Sequence, residues 1–209
     1  MALTKIELSE LVRDLMSGGD PVREGKFHDT IIWKLADVVL GGLIQEAMWK
    51  DPDSNGYEIN GSFLTTFVLD VKDDSDRGEK YSELEHSVIT LKDNRGLHRV
   101  SERGNTEFAF DQVPNGSHDV FRPLEAHNLN PRTEFYQEGN NIYYRNLGLA
   151  VEKVLVKQIS AITGLDEDEP IAIPATMEDM FLERIIERLS IQVRAQQDKN
   201  NDSNPNMLI

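Results

Sequence analysis

The sequence predicts an α+β fold in which N-terminal and C-terminal helices pack together, with a central antiparallel β region. Apolar residues recur at three- and four-residue spacing near both ends of the chain, which is typical of amphipathic helices. Strand-length segments rich in aromatic and β-branched residues fill the middle, separated by turn residues. We therefore divide the chain into an N-terminal helical segment (1–56), an antiparallel β region (57–164), a linker with the C-terminal helix (165–195) and an extended tail (196–209).

The first predicted helix covers residues 4–16. Thr4 and Glu7 have the spacing of a capping box, in which each side chain satisfies a backbone N–H of the first turn. The pair Gly18-Gly19 ends the helix, because glycine adopts the left-handed conformation of a helix C-terminus at low cost. The apolar positions of this helix are Ile6, Leu8, Leu11, Val12, Leu15 and Met16.

A second helix is predicted from about Asp29 to Trp49, followed by a turn at "DPDSNG". Gly41-Gly42 lies inside it and predicts either a kink or a close helix crossing. A surplus of apolar residues over one small core indicates that the exposed parts of this helix and of the β region pack against a neighbouring copy of the chain. The residues expected in that contact are Ile31, Leu35, Val38 and Val39.

Five segments of the β region have strand character: residues 62–71, 86–91, 105–110, 133–146 and 152–159. The clearest is "TEFYQEGNNIYYRN", which reads as a hairpin with Gly139 or an asparagine at positive φ. No helix-length segment lies between the predicted strands, and this favours antiparallel pairing over βαβ units.

The last helix is predicted to begin near Thr176, which can cap it, with acidic residues in the first turn. Apolar residues then repeat every four positions from Met177 to Val193. From Gln196 onward the sequence has no core-forming pattern, so we expect a disordered tail in the free chain. That tail ends in the apolar residues Met207, Leu208 and Ile209.

The composition narrows the possible function. A net charge of -15 argues against binding to nucleic acid or anionic membranes, since such proteins neutralise phosphates with lysine and arginine. The absence of cysteine excludes disulfides, thiolate zinc sites and cysteine nucleophiles. The N-terminus is too polar for a signal peptide and no apolar run reaches the roughly 20 residues of a membrane span. We therefore expect synthesis in the cytoplasm and no membrane partner.

One segment, "DPDSNGYEINGS", has part of the pattern of a calcium-binding loop. Asp51, Asp53, Asn55 and Gly56 match the first positions of an EF-hand, but Ser62 stands where a bidentate glutamate is needed. A turn is the better interpretation.

Other patterns for chemistry are missing from the sequence. The histidines show no metal-ligand spacing, and there is no nucleophile elbow and no phosphate-binding glycine loop. The acidic run 165–170 is interpreted as a solvated loop, with a cation site as the alternative. We accordingly expect a protein without enzymatic activity, cofactor or metal. The histidines are His28, His86, His98, His118 and His127.

Several stretches together resemble one family. "ELSELVRDLMSGGDP…HDTIIWKLADVVLGGLIQE" is similar to the opening of virion proteins from short-tailed, crAss-like phages and related phages of Bacteroidetes. "HSVITLKDNRGLHRV…NTEFAF" and "TEFYQEGNNIYYRNL" resemble their central strands and hairpin. "DEPIAIPATMEDMFLERIIERLSIQVRAQQDKNNDSN" resembles their final helix and polar tail. The resemblance covers most of the chain as a pattern of short motifs.

This resemblance implies a head-to-tail connector in the neck of the virion. Such proteins form a ring or adaptor beneath the portal, typically twelvefold, and surround the DNA channel without reading its sequence. The C-terminal tail would order on docking and anchor on the portal or another neck protein. The residues of that docking tail are Asn204, Pro205, Asn206, Met207, Leu208 and Ile209.

The sequence is also compatible with two alternative functions. The chain could be a different virion component, such as a tail-tube ring, a stopper or an assembly chaperone. It could also be a small enzyme or regulator with a metal site.

Overall fold

A computed structural model describes residues 3–18, 27–49, 59–89, 91, 96–113 and 132–202 of the chain. It confirms the α+β class. The chain forms two compact units: Met1–Gly56 together with Leu165–Ile209, which we call the helical unit, and Tyr57–Gly164, which we call the β unit. The helices are α1 (Lys5–Ser17), α2 (Asp29–Trp49) and α3 (Glu178–Asp202).

The predicted capping box starts α1. The Glu7 backbone N–H donates to Thr4 Oγ1 at 3.3 Å, and the Thr4 backbone N–H donates to Glu7 Oε2 at 3.0 Å. Gly18 ends the helix in the left-handed conformation, with φ of 66°. Both ends of this helix are therefore set by local sequence, which is why its prediction is confirmed.

Polar side chains hold α1 against α2. Trp33 Nε1 donates to Ser9 Oγ at 2.9 Å, and Arg13 pairs with Asp29. Position 9 thus faces position 33, while position 13 faces position 29, so the two helices run antiparallel. Their apolar faces form the core of the unit with α3, through the buried residues Leu8, Val12, Ile32, Ala36, Val39, Leu40, Leu43, Ile44, Phe181, Ile185 and Leu189.

The pair Gly41-Gly42 does not interrupt α2, because the helix runs from Asp29 to Trp49. A Cβ atom added at Gly42 would meet nothing within 4 Å, so no close helix crossing occurs at that position either. The glycine pair is accommodated within a regular helix whose stability comes from its buried face.

The C-terminal helix differs from expectation at both ends. A 3-10 turn, Ala175–Met177, precedes α3, so Thr176 does not cap it. The acidic residues Glu178 and Asp179 do occupy the first turn, as predicted. At its other end, α3 continues to Asp202 and so includes the first part of the segment 196–209 that was expected to be extended. Contacts of α3 with α1 and α2 confirm that terminal helices pack together.

The β unit contains nine strands in two sheets among the described residues. One sheet has the order β1-β9-β4-β5 and the other has the order β2-β3-β8-β7-β6. The strands are β1 (Thr65–Asp70), β2 (Lys72–Asp74), β3 (Glu79–Glu83), β4 (Leu97–Glu102), β5 (Asn105–Ala109), β6 (Asp111–Gln112), β7 (Glu134–Glu138), β8 (Asn141–Arg145) and β9 (Lys153–Gln158).

Two bent strands join these sheets at both edges. Residues 65–74 form the first bent strand: its first part, β1, pairs with β9, and its second part, β2, which follows Val71, pairs with β3. Residues 105–112 form the second: its first part, β5, pairs with β4, and its second part, β6, which follows Phe110, pairs with β7. Each sheet edge therefore continues into the other sheet, and hydrogen-bonded strands surround the core as in a small barrel.

The strand pattern corrects the sequence prediction at three points. The described part of residues 86–91 forms no strand and makes only an isolated bridge between Val88 and Ser160. The strands β2, β3, β4 and β6 lie outside the five predicted segments. The pair β6–β7 is parallel, whereas the other strand pairs of the described residues are antiparallel. The hairpin at 133–146 is confirmed, with Gly139 at φ of 60°.

Candidate assembly surface

The four residues predicted to contact a neighbouring copy have different environments. Ile31 is 46% exposed and Val38 is 56% exposed, while Leu35 is half-buried. Val39 is only 2% exposed, because it packs inside its own helical unit. Val39 therefore does not belong to the surface, and the remaining three residues do.

These three residues form a continuous row on α2. Ile31, Leu35 and Val38 are spaced four and three residues apart, so they lie on one side of the helix. Exposed Lys34 stands beside this row, three residues after Ile31 and four before Val38. We call Ile31, Leu35 and Val38 the α2 stripe.

A second apolar row lies on α1. Leu11 is 40% exposed and Leu15 is 54% exposed, although the sequence pattern had suggested that both face the core. They are four residues apart and therefore adjacent on the helix surface. Exposed Asp14 stands next to Leu11, three residues after it. We call Leu11 and Leu15 the α1 stripe.

The predicted docking tail, Asn204–Ile209, lies outside the described residues, as do His118 and His127.

Among the potential ligands that are described, no group of three or more histidine, aspartate or glutamate side chains could hold a metal ion. In the segment with part of the calcium-loop pattern, Ser62 is among the described residues and lies in a 3-10 turn. In the acidic loop, the Asp166 backbone N–H donates to Glu169 Oε2 at 3.2 Å.

The outer face of the β unit carries a tyrosine cluster that sequence reasoning missed. Tyr136 and Tyr143 stack with ring centroids 5.3 Å apart, and the Arg77 guanidinium lies 4.7 Å from the Tyr143 ring centroid. Arg77 also binds Glu138, and this hydrogen bond holds the pKa of the Glu138 carboxyl below its ordinary value. The alternation of β7 and β8 could have indicated this face, since Tyr136 and Tyr143 are opposite partners in the register.

Electrostatics hold this cluster together. Burial raises the pKa of Tyr136 to about 12, and the hydrogen bond that its hydroxyl donates to Glu79 at 2.6 Å acts in the same direction. Arg145 lies 3.9 Å from both Glu79 and Glu134. The charged groups of the cluster are therefore engaged with one another.

A cavity of about 530 Å³ lies beside the cluster, between the β2–β3 turn and the segment after β8. Lys80 and Arg145 are its basic lining residues. Lys80 Nζ donates to the carbonyl oxygens of Gly148 and Leu149, both at 3.3 Å, and Arg145 is paired with carboxylates. Both of these cations thus have partners within the chain.

No described helix is long and apolar enough to cross a membrane. Comparison with protein-family models gives no match to this chain, and comparison with curated proteins also gives none.

Proposed function

We propose that this chain is a structural protein of a phage virion. In this proposal it is made in the host cytoplasm and joins the neck between head and tail. There it forms a homo-oligomeric ring that attaches to the portal and surrounds the DNA channel. The resemblance described above supports the neck assignment, and the apolar surface of the helical unit supports self-association.

The observation that carries the proposal is the distribution of exposed apolar side chains. Among the described residues, seven of the ten large hydrophobic side chains with high exposure lie on the three helices. Full burial of one such side chain contributes about 1.5–3 kcal/mol, so an interface built from several of them can be stable. Those seven residues are Ile6, Leu11, Leu15, Ile31, Val38, Met180 and Ile191.

Charge supports the location around DNA. A net charge of -15 repels the phosphate backbone, so DNA can pass along a surface of such subunits without sticking to it. The same charge raises the cost of bringing copies together in solution. A portal that supplies a ring of docking sites offsets this cost, because each added contact becomes multivalent.

Quantitative mass spectrometry of purified particles from the source phage tests this function. We expect about one copy of the chain per portal subunit, because an adaptor ring matches its platform. Absence from the particles contradicts the proposal. A copy number many times that of the portal also contradicts it and indicates a tail-tube component, since tube subunits stack.

A further inference from the structure

We propose that neighbouring copies join head to tail, with the α1 stripe of one copy packed on the α2 stripe of the next. This inference rests on the proposed ring and names the surface that would form it. It follows from the placement of the two stripes, their apolar character and the charges beside them.

The two stripes lie on opposite sides of the α1–α2 pair. At 100° per residue, the α2 stripe lies roughly 140–160° around the helix from Trp33, the residue that contacts α1. The α1 stripe lies roughly 120–160° around its helix from Ser9 and Arg13, which contact α2. Each stripe therefore faces away from the partner helix.

Two different surfaces on opposite sides of one subunit suit a heterologous contact. In a twofold dimer, one patch meets a copy of itself, so a second patch would stay exposed. In a ring, every subunit uses one patch on each side, and both stripes become buried at every junction. A ring thus removes from water apolar side chains that a dimer through one stripe would leave exposed.

The charges beside the stripes are complementary. Lys34 borders the α2 stripe, whereas Asp14 borders the α1 stripe. When α1 of one copy packs on α2 of the next, the lysine approaches this carboxylate. When two α2 stripes meet, two lysines approach each other, and when two α1 stripes meet, two carboxylates do so. Charge therefore favours the head-to-tail pairing and opposes both alternatives.

Disulfide trapping tests this pairing directly, because the natural chain has no cysteine. Leu15→Cys and Val38→Cys are made in two full-length chains with different tags and mixed under mild oxidation. We expect the mixed disulfide to form about tenfold faster than in a mixture of Leu15→Cys with Glu187→Cys, an exposed position on α3. A rate no faster than this control overturns the proposal, and so does trapping of Val38→Cys mainly with itself.

Charge reversal gives a second test that does not depend on oxidation. We expect Lys34→Glu to weaken self-association about tenfold in sedimentation equilibrium, because it brings like charges together. Combining Lys34→Glu with Asp14→Lys in the same chain reverses both sides of each junction and is expected to restore association. If the double variant associates no better than Lys34→Glu alone, the two residues do not face each other and the proposed pairing is incorrect.

The two proposals can fail separately. Trapping of the mixed pair by a chain that is absent from purified particles supports the junction and rejects the virion function. If the chain is present in the particles but the mixed disulfide does not form, the virion function is supported and the proposed junction is rejected.

Discussion

At the residue scale, the helical unit contains a buried lysine whose charge needs partners inside the protein. Lys5 is 5% exposed, and its Nζ donates to the Leu165 carbonyl oxygen at 2.8 Å while lying 4.0 Å from the Trp33 ring centroid. A buried ammonium needs such partners because the interior solvates it poorly. This contact could not be predicted from the sequence, because both partners of Lys5 are distant along the chain.

We expect Lys5→Met to lower the free energy of unfolding by about 2 kcal/mol, because it leaves the Leu165 carbonyl without its charged donor. Urea denaturation followed by circular dichroism measures this loss. Lys34→Met is the matched control at concentrations where the chain is monomeric. Lys34 is exposed, so a loss as large as that of Lys5→Met would show that the buried contact is not responsible.

A second residue-scale prediction concerns Tyr136, whose pKa of about 12 exceeds the ordinary value of 10. The folded state keeps this phenol protonated, so its contribution to stability is complete below pH 10 and is lost as the pH rises toward 12. The stability advantage of the natural chain over Tyr136→Phe should therefore shrink across this range, measured by urea denaturation at each pH. If the difference in unfolding free energy between the two chains stays constant from pH 10 to pH 12, the raised pKa of Tyr136 is incorrect.

At the element scale, helices and strands could be predicted where interactions between residues close in sequence determine them. The bounds of α1 and the β7–β8 hairpin could be predicted because a capping box and turn glycines act within a few residues. Strand β3, with the sequence "EKYSE", could not, because a polar segment becomes a strand only through pairing with β2 and β8. Residues 86–91 have strand composition, yet their described part pairs only through one bridge.

Gly96 gives a test at this scale. A Cβ atom there would lie 2.2 Å from the Ile89 carbonyl oxygen and 2.4 Å from Val88 Cγ1, so part of the backbone would have to move. The Gly96 carbonyl also accepts a hydrogen bond from the Ile159 N–H at 2.8 Å. We expect Gly96→Ala to destabilise the chain by about 1–3 kcal/mol in thermal or urea unfolding.

Gly104→Ala is the matched control for Gly96→Ala. Nothing lies within 4 Å of a Cβ atom at Gly104, and its φ is not positive, so we expect little change. Equal losses in the two variants would mean that the close approach to Ile89 has no energetic consequence.

At the scale of the whole molecule, the candidate surface could be predicted only in part. Apolar periodicity indicated that α2 has more hydrophobic residues than one core requires, and Ile31 and Val38 are indeed exposed. Periodicity could not separate Val38 from Val39, because adjacent positions differ by 100° and the location of α3 decides which of them is covered. The α1 stripe was missed for the same reason.

The β unit is one continuous piece of chain with its own core, built from residues such as Val100, Ile142 and Val156. We expect the fragment 57–164 to fold alone and to unfold cooperatively in urea. Circular dichroism and amide proton dispersion would show its β structure. A fragment without cooperative unfolding would mean that this core depends on the helical unit.

The proposed docking tail can be tested without touching α3. Truncation after Asp202 keeps the whole helix and removes residues 203–209, including the apolar end of the chain. We expect the truncated chain to bind the portal at least about tenfold more weakly in pull-down or calorimetry, because an apolar anchor is lost. Undiminished affinity would exclude the tail as a docking arm, and unchanged circular dichroism would serve as the folding control.

The interruption of the helical unit by the β unit has a consequence for synthesis on the ribosome. The helices α1 and α2 are made first, but Phe181, Ile185 and Leu189, which complete their core, belong to α3 near the end of the chain. Roughly 130 residues separate α2 from α3, and at about 5–20 residues per second this leaves the nascent hairpin uncovered for on the order of ten seconds. During that interval its apolar face is open to chaperones and to other nascent chains.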